Sequence, residues 1–216
     1  MKKFWTAFLS ILVLVAFALI LIFPQSREIF KALSSSHPYI MGFIKFALMA
    51  TVGEILALRL AKKDWLLPVY VGKRMIIWGL IGVAITFMMK IFSCGVSALM
   101  LDGLLPGGTD NTLAVRFLKA FYTSATMNLT FGPTFMAFHK CSDKWLELKS
   151  EGKPHKALDA VAAVDFKSFT GFTLFKTIPL FWIPAHTVTF MLPGEYQVIM
   201  AAALSVALGI ILSLKK

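Results

Sequence analysis

Two opposite charges lie within one apolar stretch of the chain, GFIKFALMATVGEILALRL, which runs from Gly42 to Leu60. Lys45 and Glu54 are nine positions apart, which in an α-helix places them on opposite faces and about 13 Å apart along the axis. They therefore do not pair with each other. In lipid, each needs a partner on another helix, contact with water or a route to the headgroups, so both are candidates for a functional role.

Two further lysines, Lys90 and Lys176, lie inside apolar stretches. We expect Glu54 and Lys176 at similar depth near the inner surface, so Lys176 is a candidate counter-charge for Glu54. Lysines near a helix end can also extend to the headgroups, and we expect this of Lys45 and Lys176. Lys90 lies deeper, and both interpretations stay open for it. For Glu54 we favour a group that faces the helix bundle over a protonated, structural carboxyl.

Hydroxyl side chains form a stripe in the stretch YTSATMNLTFGPTF, residues 122–135. Their spacings of three and four place them on one face of a helix. Such a stripe serves either in helix–helix contact, as small hydroxyl residues commonly do in membranes, or in lining a wet pathway. The stripe consists of Thr123, Thr126, Thr130 and Thr134.

Prolines interrupt two of the apolar stretches. Gly132-Pro133 is expected to break or bend the helix that carries the threonines, because proline removes a backbone donor and crowds the preceding turn. Pro179 and Pro184 are expected to interrupt the next helix in the same way. His186 follows directly, and we expect it to be a hydrogen-bonded packing residue, with a role as a ligand as the alternative.

The elements that position these residues must be membrane helices. Of the 216 residues, 58% are hydrophobic and only 15% are charged, and the mean hydropathy is +0.76. Soluble domains usually carry about 25% charged residues, so this is a membrane composition. The sequence therefore predicts an all-α, polytopic transmembrane bundle that forms a single membrane domain, 1–216.

Six stretches have the roughly 20 apolar residues that a helix needs to cross the hydrocarbon core. With the N-terminus inside, fifteen lysines and arginines fall on inner segments and at most four on outer loops. This bias predicts that both termini are inside. We expect the first stretch to be a retained helix, within an extra N-terminal segment 1–24, because no cleavage site follows it. The six stretches are about 4–23, 39–60, 75–101, 114–138, 169–191 and 195–214.

The net charge of +11 is carried by short loops between apolar stretches, above all by the inner loop 140–167, which also contains a candidate surface helix. This distribution favours anionic lipid headgroups as partners and argues against nucleic acid. Cys94 and Cys141 belong to no CxxC motif or Cys/His cluster, so we expect neither a disulfide nor a metal site. HExxH, GxSxG and P-loop motifs are absent, so we predict no cofactor, and an enzyme is the weaker class.

Several different short motifs follow one another along the chain, and fourteen residues separate the first two. They are His37-Pro38, Gly53-Glu54, Gly82 with Lys90, Phe131-Gly132-Pro133, Ile178-Pro179, Thr189-Phe190, Leu192-Pro193, Tyr196-Gln197-Val198 and Leu212-Ser213.

In order and spacing these motifs resemble the Mpv-seventeen/peroxisomal membrane protein family, over 37–216. Several typical residues differ: Gln197 replaces an arginine, and Leu208-Gly209 replaces a Trp-Asn pair. The resemblance is that of a distant, bacterial member. It implies a small helical membrane protein of a family proposed to form weakly selective pores or metabolite transporters, and it adds interest to Glu54 and Lys90.

Three hypotheses for the function follow. The first is a pore or facilitator for small solutes in a bacterial cytoplasmic membrane, with a preference for anions such as small anionic metabolites, because its outer half is basic. The second is a non-transporting accessory protein whose buried charges lock helices together. The third is a membrane-embedded lipid or quinone enzyme. A homo-oligomer is compatible with each of them.

Overall fold

The computed structural model of the chain describes residues 2–213, which are helical throughout their regular structure and contain no strand. The predicted all-α fold class is thereby confirmed. Four of the described helices are long and apolar enough to cross a membrane, at Lys3–Ile22, Pro38–Lys62, Val71–Leu101 and Gly194–Ile211. Lys215 and Lys216, which entered the charge count, lie outside the described residues, as do the side chains of Lys2, Leu212 and Ser213.

The described residues form nine α-helices and one π-helix, which lies between α7 and α8. They are α1 (Lys2–Ile22), α2 (Pro24–Ser36), α3 (Pro38–Lys62), α4 (Val71–Leu101), α5 (Leu113–Ser150), α6 (Ala157–Ala162), α7 (Phe166–Ser168), the π-helix (Phe169–Trp182), α8 (Ile183–Met191) and α9 (Gly194–Ser213).

The chain divides into two compact units, and the boundary falls inside α4. Unit 1 comprises Met1–Thr86 and Glu195–Lys216, and so contains α1, α2, α3, the first half of α4 and nearly all of α9. Unit 2 comprises Phe87–Gly194, with the rest of α4 and the helices α5 to α8.

In unit 1 the most buried helix is α3, and glycines allow its close contacts. A Cβ atom at Gly82 of α4 would collide with the backbone oxygen of Gly42 and with the Cβ atom of Phe46. A Cβ atom at Gly53 would lie 3.1 Å from the Cα atom of Val206 in α9. Small residues allow this close approach of backbones, which is the usual source of helix association in lipid, where apolar burial supplies no driving force.

Helix α2 was not predicted, although its signals are present in the sequence. Pro24 occupies its first turn and Pro38 the first turn of α3, where a missing backbone N–H costs nothing, and His37 separates the two helices. Helix α2 packs on both α1 and α3 and buries Phe30 and Ser34. The N-terminal end of α3 is therefore covered by protein.

Unit 2 is built around α5, which packs against α6, the π-helix and α8. The predicted loop 140–167 begins with three further turns of α5, which ends at Ser150. The predicted surface helix in this loop is shorter than expected and forms α6, where Ala160 is buried. Leu146 of α5 is fully buried as well.

Two of the six predicted spans are not among the four apolar helices. The stretch 114–138 lies in α5, whose threonines and terminal charges lower its hydropathy. The stretch 169–191 is divided between the π-helix and α8. Whether these two segments cross a membrane, and in which orientation, stays a prediction.

The glycine contact between α3 and α4 leads to a stability prediction. Gly82→Ala should lower the free energy of unfolding in detergent by about 1–3 kcal/mol, because the added methyl group overpacks the contact with α3. Gly95→Ala, in the same helix, is the matched control, since a Cβ atom there meets nothing within 4 Å. The control should be neutral or stabilising, as alanine favours helix over glycine. Equal unfolding midpoints for both variants would contradict the close contact.

Candidate functional site

A cluster of polar and charged side chains surrounds Glu54 in unit 1. Arg74 Nη1 lies 3.2 Å from Glu54 Oε2 and 3.4 Å from Oε1, and Trp78 Nε1 donates a hydrogen bond of 2.8 Å to Oε1. The side chains of Arg74 and Glu54 are only 13% and 19% exposed. We call these three residues the Glu54 cluster.

The α3–α4 hairpin creates this cluster. Glu54 lies two turns before the end of α3 and Arg74 in the first turn of α4, so the short connection brings them side by side. Arg74 and Trp78 are four residues apart and therefore share a face of α4. Arg74 Nε also donates to the carbonyl of Val69, which ties the guanidinium to the connecting loop. The Trp78 ring stacks on Phe46 of α3, 6.4 Å between centroids.

The partner of Glu54 differs from the expected one. We predicted Lys176 or water, whereas the structure gives Glu54 an arginine and a tryptophan from the next helix of its own unit. The depth argument treated Arg74 as a loop charge and so missed it. Its signal was present in the sequence: Arg74 and Trp78 stand at helical spacing at the start of the span that follows Glu54.

Lys45 is buried, 2% exposed, instead of extending to the surface. Its ammonium group donates a hydrogen bond of 2.8 Å to Ser34 Oγ of α2 and lies 3.5 Å from the backbone oxygen of Glu195. It also lies 4.3 Å from the centre of the Phe30 ring, a cation–π contact. Phe30 in turn stacks on Tyr196 of α9. Lys45 therefore joins α2, α3 and α9 at the end of unit 1 away from the Glu54 cluster.

A buried polar network holds α5 and α8 together in unit 2. Ser124 Oγ donates to the backbone oxygen of Ile183 over 2.7 Å, and Asn128 Nδ2 donates to the Ser124 backbone oxygen over 2.9 Å. The side-chain nitrogen Nδ2 of Asn128 also lies 3.0 Å from Nδ1 of His186. The ring of His186 lies 5.1 Å from that of Trp182. His186 is thus a packing residue with a hydrogen-bond partner, as expected. Asn128 was not predicted, because only the threonines of this stretch were considered.

The threonine stripe does not line this network. Thr126, Thr130 and Thr134 are exposed on α5, and each hydroxyl donates to the backbone oxygen four residues earlier, over 2.7, 2.6 and 3.4 Å. Thr123 makes the same kind of bond to Lys119 but is buried. The exposed part of the stripe is therefore satisfied within its own helix.

The prolines lie within helical segments, and a bend at Gly132-Pro133 stays a prediction. Helix α5 continues through Gly132 and Pro133, so no break occurs there. Pro184 is the second residue of α8, which follows the π-helix without a break. Pro179 lies inside the π-helix, whose i→i+5 bonding is shown by the N–H of Ile183, which donates to the oxygen of Ile178. The interruption of this segment is thus a change of helix type.

The remaining predicted lysines are exposed. Lys90 lies on the surface of α4, and Lys176 on the π-helix, where it lines a cleft together with Lys167. At these exposed positions, the side chains of both lysines are able to extend toward lipid headgroups.

Comparison of the chain with protein-family models, with curated proteins and with solved structures finds no match. The resemblance drawn from the motifs above stays a prediction, and function must be argued from the geometry of the chain itself.

The Glu54 cluster leads to a second prediction. Arg74→Gln should lower the free energy of unfolding by about 2 kcal/mol. The substitution removes a charged hydrogen-bond donor from a carboxylate that is half-buried. Trp78→Phe should cost about 1 kcal/mol through the lost indole donor. Thermal unfolding in detergent measures both changes. The exchange Glu54→Arg with Arg74→Glu should recover part of the loss, and additive losses in the exchanged double variant would argue against pairing.

Proposed function

We propose that the chain is an integral membrane protein that acts as a pore or facilitator for small solutes, with a preference for anions. The observation that carries this proposal is the Glu54 cluster, a half-buried ion pair between two helices that can each cross a membrane. Charged groups at such positions are costly, and they commonly mark solute pathways. In this proposal Glu54 and Arg74 form a constriction near the inner surface.

The proposed topology has six spans with both termini inside. The pairing of Lys3 with Asp64 over 2.6 Å supports it, since it places the start of α1 beside the end of α3. The hydrogen bond from Lys3 also lowers the pKa of the Asp64 carboxyl below its ordinary value. The exposed apolar residues of α1, among them Phe4, Leu12 and Ile22, fit contact with lipid.

Further parts of the proposal come from the sequence. The motif resemblance supports membership of the Mpv-seventeen/peroxisomal membrane protein family, and the charge distribution supports a bacterial cytoplasmic membrane whose anionic headgroups contact the inner basic segments. Small anionic metabolites are the proposed solutes, a homo-oligomer is compatible with the proposal, and neither nucleic acid, a metal nor a cofactor has a part in it.

Cysteine labelling tests the number of spans. In a background with Cys94 and Cys141 replaced by serine, Thr109→Cys and Ser150→Cys are treated with a membrane-impermeant maleimide in intact cells. Six spans place residue 109 outside and residue 150 inside, so only Thr109→Cys should react before the membrane is permeabilised. If α5 does not cross the membrane, both cysteines lie outside, and equal labelling in intact cells would contradict the six-span topology.

Flux through reconstituted protein tests the pore. Wild-type protein in liposomes should pass chloride and small organic anions, and Glu54→Gln should raise the anion-to-cation permeability ratio several-fold, because it removes a negative charge from the proposed constriction. Glu28→Gln is the matched control, since it makes the same charge change at an exposed residue paired with Lys31. The control should leave selectivity unchanged.

A folded protein that passes no ion or small anion over a range of voltages would contradict the pore. One observation favours the second candidate in that case, a non-transporting accessory membrane protein. Lys45, Asn128 and His186 each have partners from neighbouring helices within their own units, which is what groups that lock helices together require. Copurification of a stoichiometric partner, with tolerance of Glu54→Gln, would support that role.

A further inference from the structure

A cleft of about 420 Å³ opens on unit 2 where α7 meets the π-helix. Its polar lining contains two lysines, one serine and one aspartate, and its apolar part contains Phe172. We propose that this cleft binds the phosphate group of an anionic phospholipid. The lining residues are Asp165, Lys167, Ser168, Gly171, Phe172 and Lys176.

The helix type brings the two lysines together. Lys167 and Lys176 are nine positions apart, a separation that places residues on opposite faces of an α-helix. In a π-helix the bonds run from i to i+5, so residues four or five apart lie above one another. Gly171 and Phe172 are four and five positions after Lys167, and Lys176 is five and four positions after them. Lys167 itself lies in α7, directly before the π-helix, and the π-helical turns that follow it bring Lys176 to the same cleft, with Gly171 and Phe172 between them.

The charges of the cleft favour an anion. Within residues 2–213, neither Lys167 nor Lys176 takes part in an ion pair or a side-chain hydrogen bond. The only acid in the lining, Asp165, is engaged by the backbone, since its Oδ1 accepts from the N–H of Ser168 over 2.9 Å. Two lysines and a serine hydroxyl remain available, and ammonium groups are common ligands of phosphate.

The surroundings of the cleft favour a lipid over a soluble phosphate. Phe172, Phe175 and Leu180, on the same π-helix, are 42%, 73% and 77% exposed. Large apolar side chains at this density suit contact with acyl chains. The cleft is open at Gly171 as well, because a Cβ atom there would meet nothing within 4 Å. A headgroup between the lysines can thus have its acyl chains along the exposed apolar residues.

This inference rests on the proposed function in one respect, the membrane orientation that places Lys176 near the inner surface, where anionic lipids are concentrated. It does not depend on transport. The headgroup site is also more specific than the general attraction of basic loops to the membrane, because it names one cleft and two lysines.

Native mass spectrometry of the full-length protein in neutral detergent micelles, titrated with short-chain phosphatidylglycerol, tests the proposal. Lys167→Gln and Lys176→Gln should each weaken binding about tenfold, the effect of losing one hydrogen bond to a charged group. Lys140→Gln, an exposed lysine of α5 outside the cleft, is the matched control and should bind as wild type does. Equal binding by all four proteins would overturn the proposal.

A second variant separates the shape of the cleft from its charge. Gly171→Leu adds a side chain at the lining of the cleft without changing any charge, so it should weaken phosphatidylglycerol binding while leaving the unfolding midpoint near that of wild type. Unchanged lipid binding by folded Gly171→Leu would show that the lysines act only as a general positive surface, which contradicts a defined site.

Glycerol 1-phosphate distinguishes the two sources of the phosphate. It should compete weakly, because it lacks acyl chains, and binding as tight as that of phosphatidylglycerol would overturn the assignment to lipid. Because this experiment measures lipid binding in micelles, its outcome does not depend on whether the protein conducts ions. A protein that is silent in flux but binds lipid through Lys167 and Lys176 keeps this site, and a conducting protein without lipid binding loses only the site.

Discussion

Hydrocarbon offers no hydrogen-bond partner, so polar groups in apolar helices depend on the protein itself. Three groups in this chain show the consequence. Glu54 meets Arg74 and Trp78, Lys45 meets Ser34 and an aromatic ring, and Asn128 joins α5 to α8. Each of these contacts links helices within one compact unit. The requirement to satisfy polar groups thus selects which helices pack together, while close glycine contacts such as that at Gly82 allow them to approach.

The sequence predicted the long apolar helices well, because length and hydropathy are local properties. The stretches 39–60 and 75–101 agree with α3 and α4 to within a few residues. Helix α2 and the last turns of α5 were missed, since their amphipathic sequences lack the apolar length on which the search relied. The π-helix was missed for another reason: the i→i+5 register depends on packing around Phe169–Trp182, and periodicity arguments assume an α-helix.

Of the Glu54 cluster, the sequence predicted Glu54 but not its partners Arg74 and Trp78. Glu54 was recognised as a buried charge that needs a partner, and the structure supplies one. The identity of that partner could not follow from depth alone, because depth places several basic residues at the same level. Chain connectivity decides between them: the short connection after α3 makes Arg74 a neighbour of Glu54. For Lys45 the missing information was helix α2, which covers the amine and contributes Ser34.

The same separation in sequence has opposite results in two parts of the chain. Lys45 and Glu54, nine positions apart in the α-helix α3, lie on opposite faces and take part in different clusters. Lys167 of α7 and Lys176 of the π-helix, also nine positions apart, line one cleft because wider π-helical turns separate them. Two lysines and one aspartate line this cleft, so its lining keeps a positive charge that an anion would compensate. This positive lining and the exposed phenylalanines beside it are the physical basis for proposing an anionic phospholipid at the cleft.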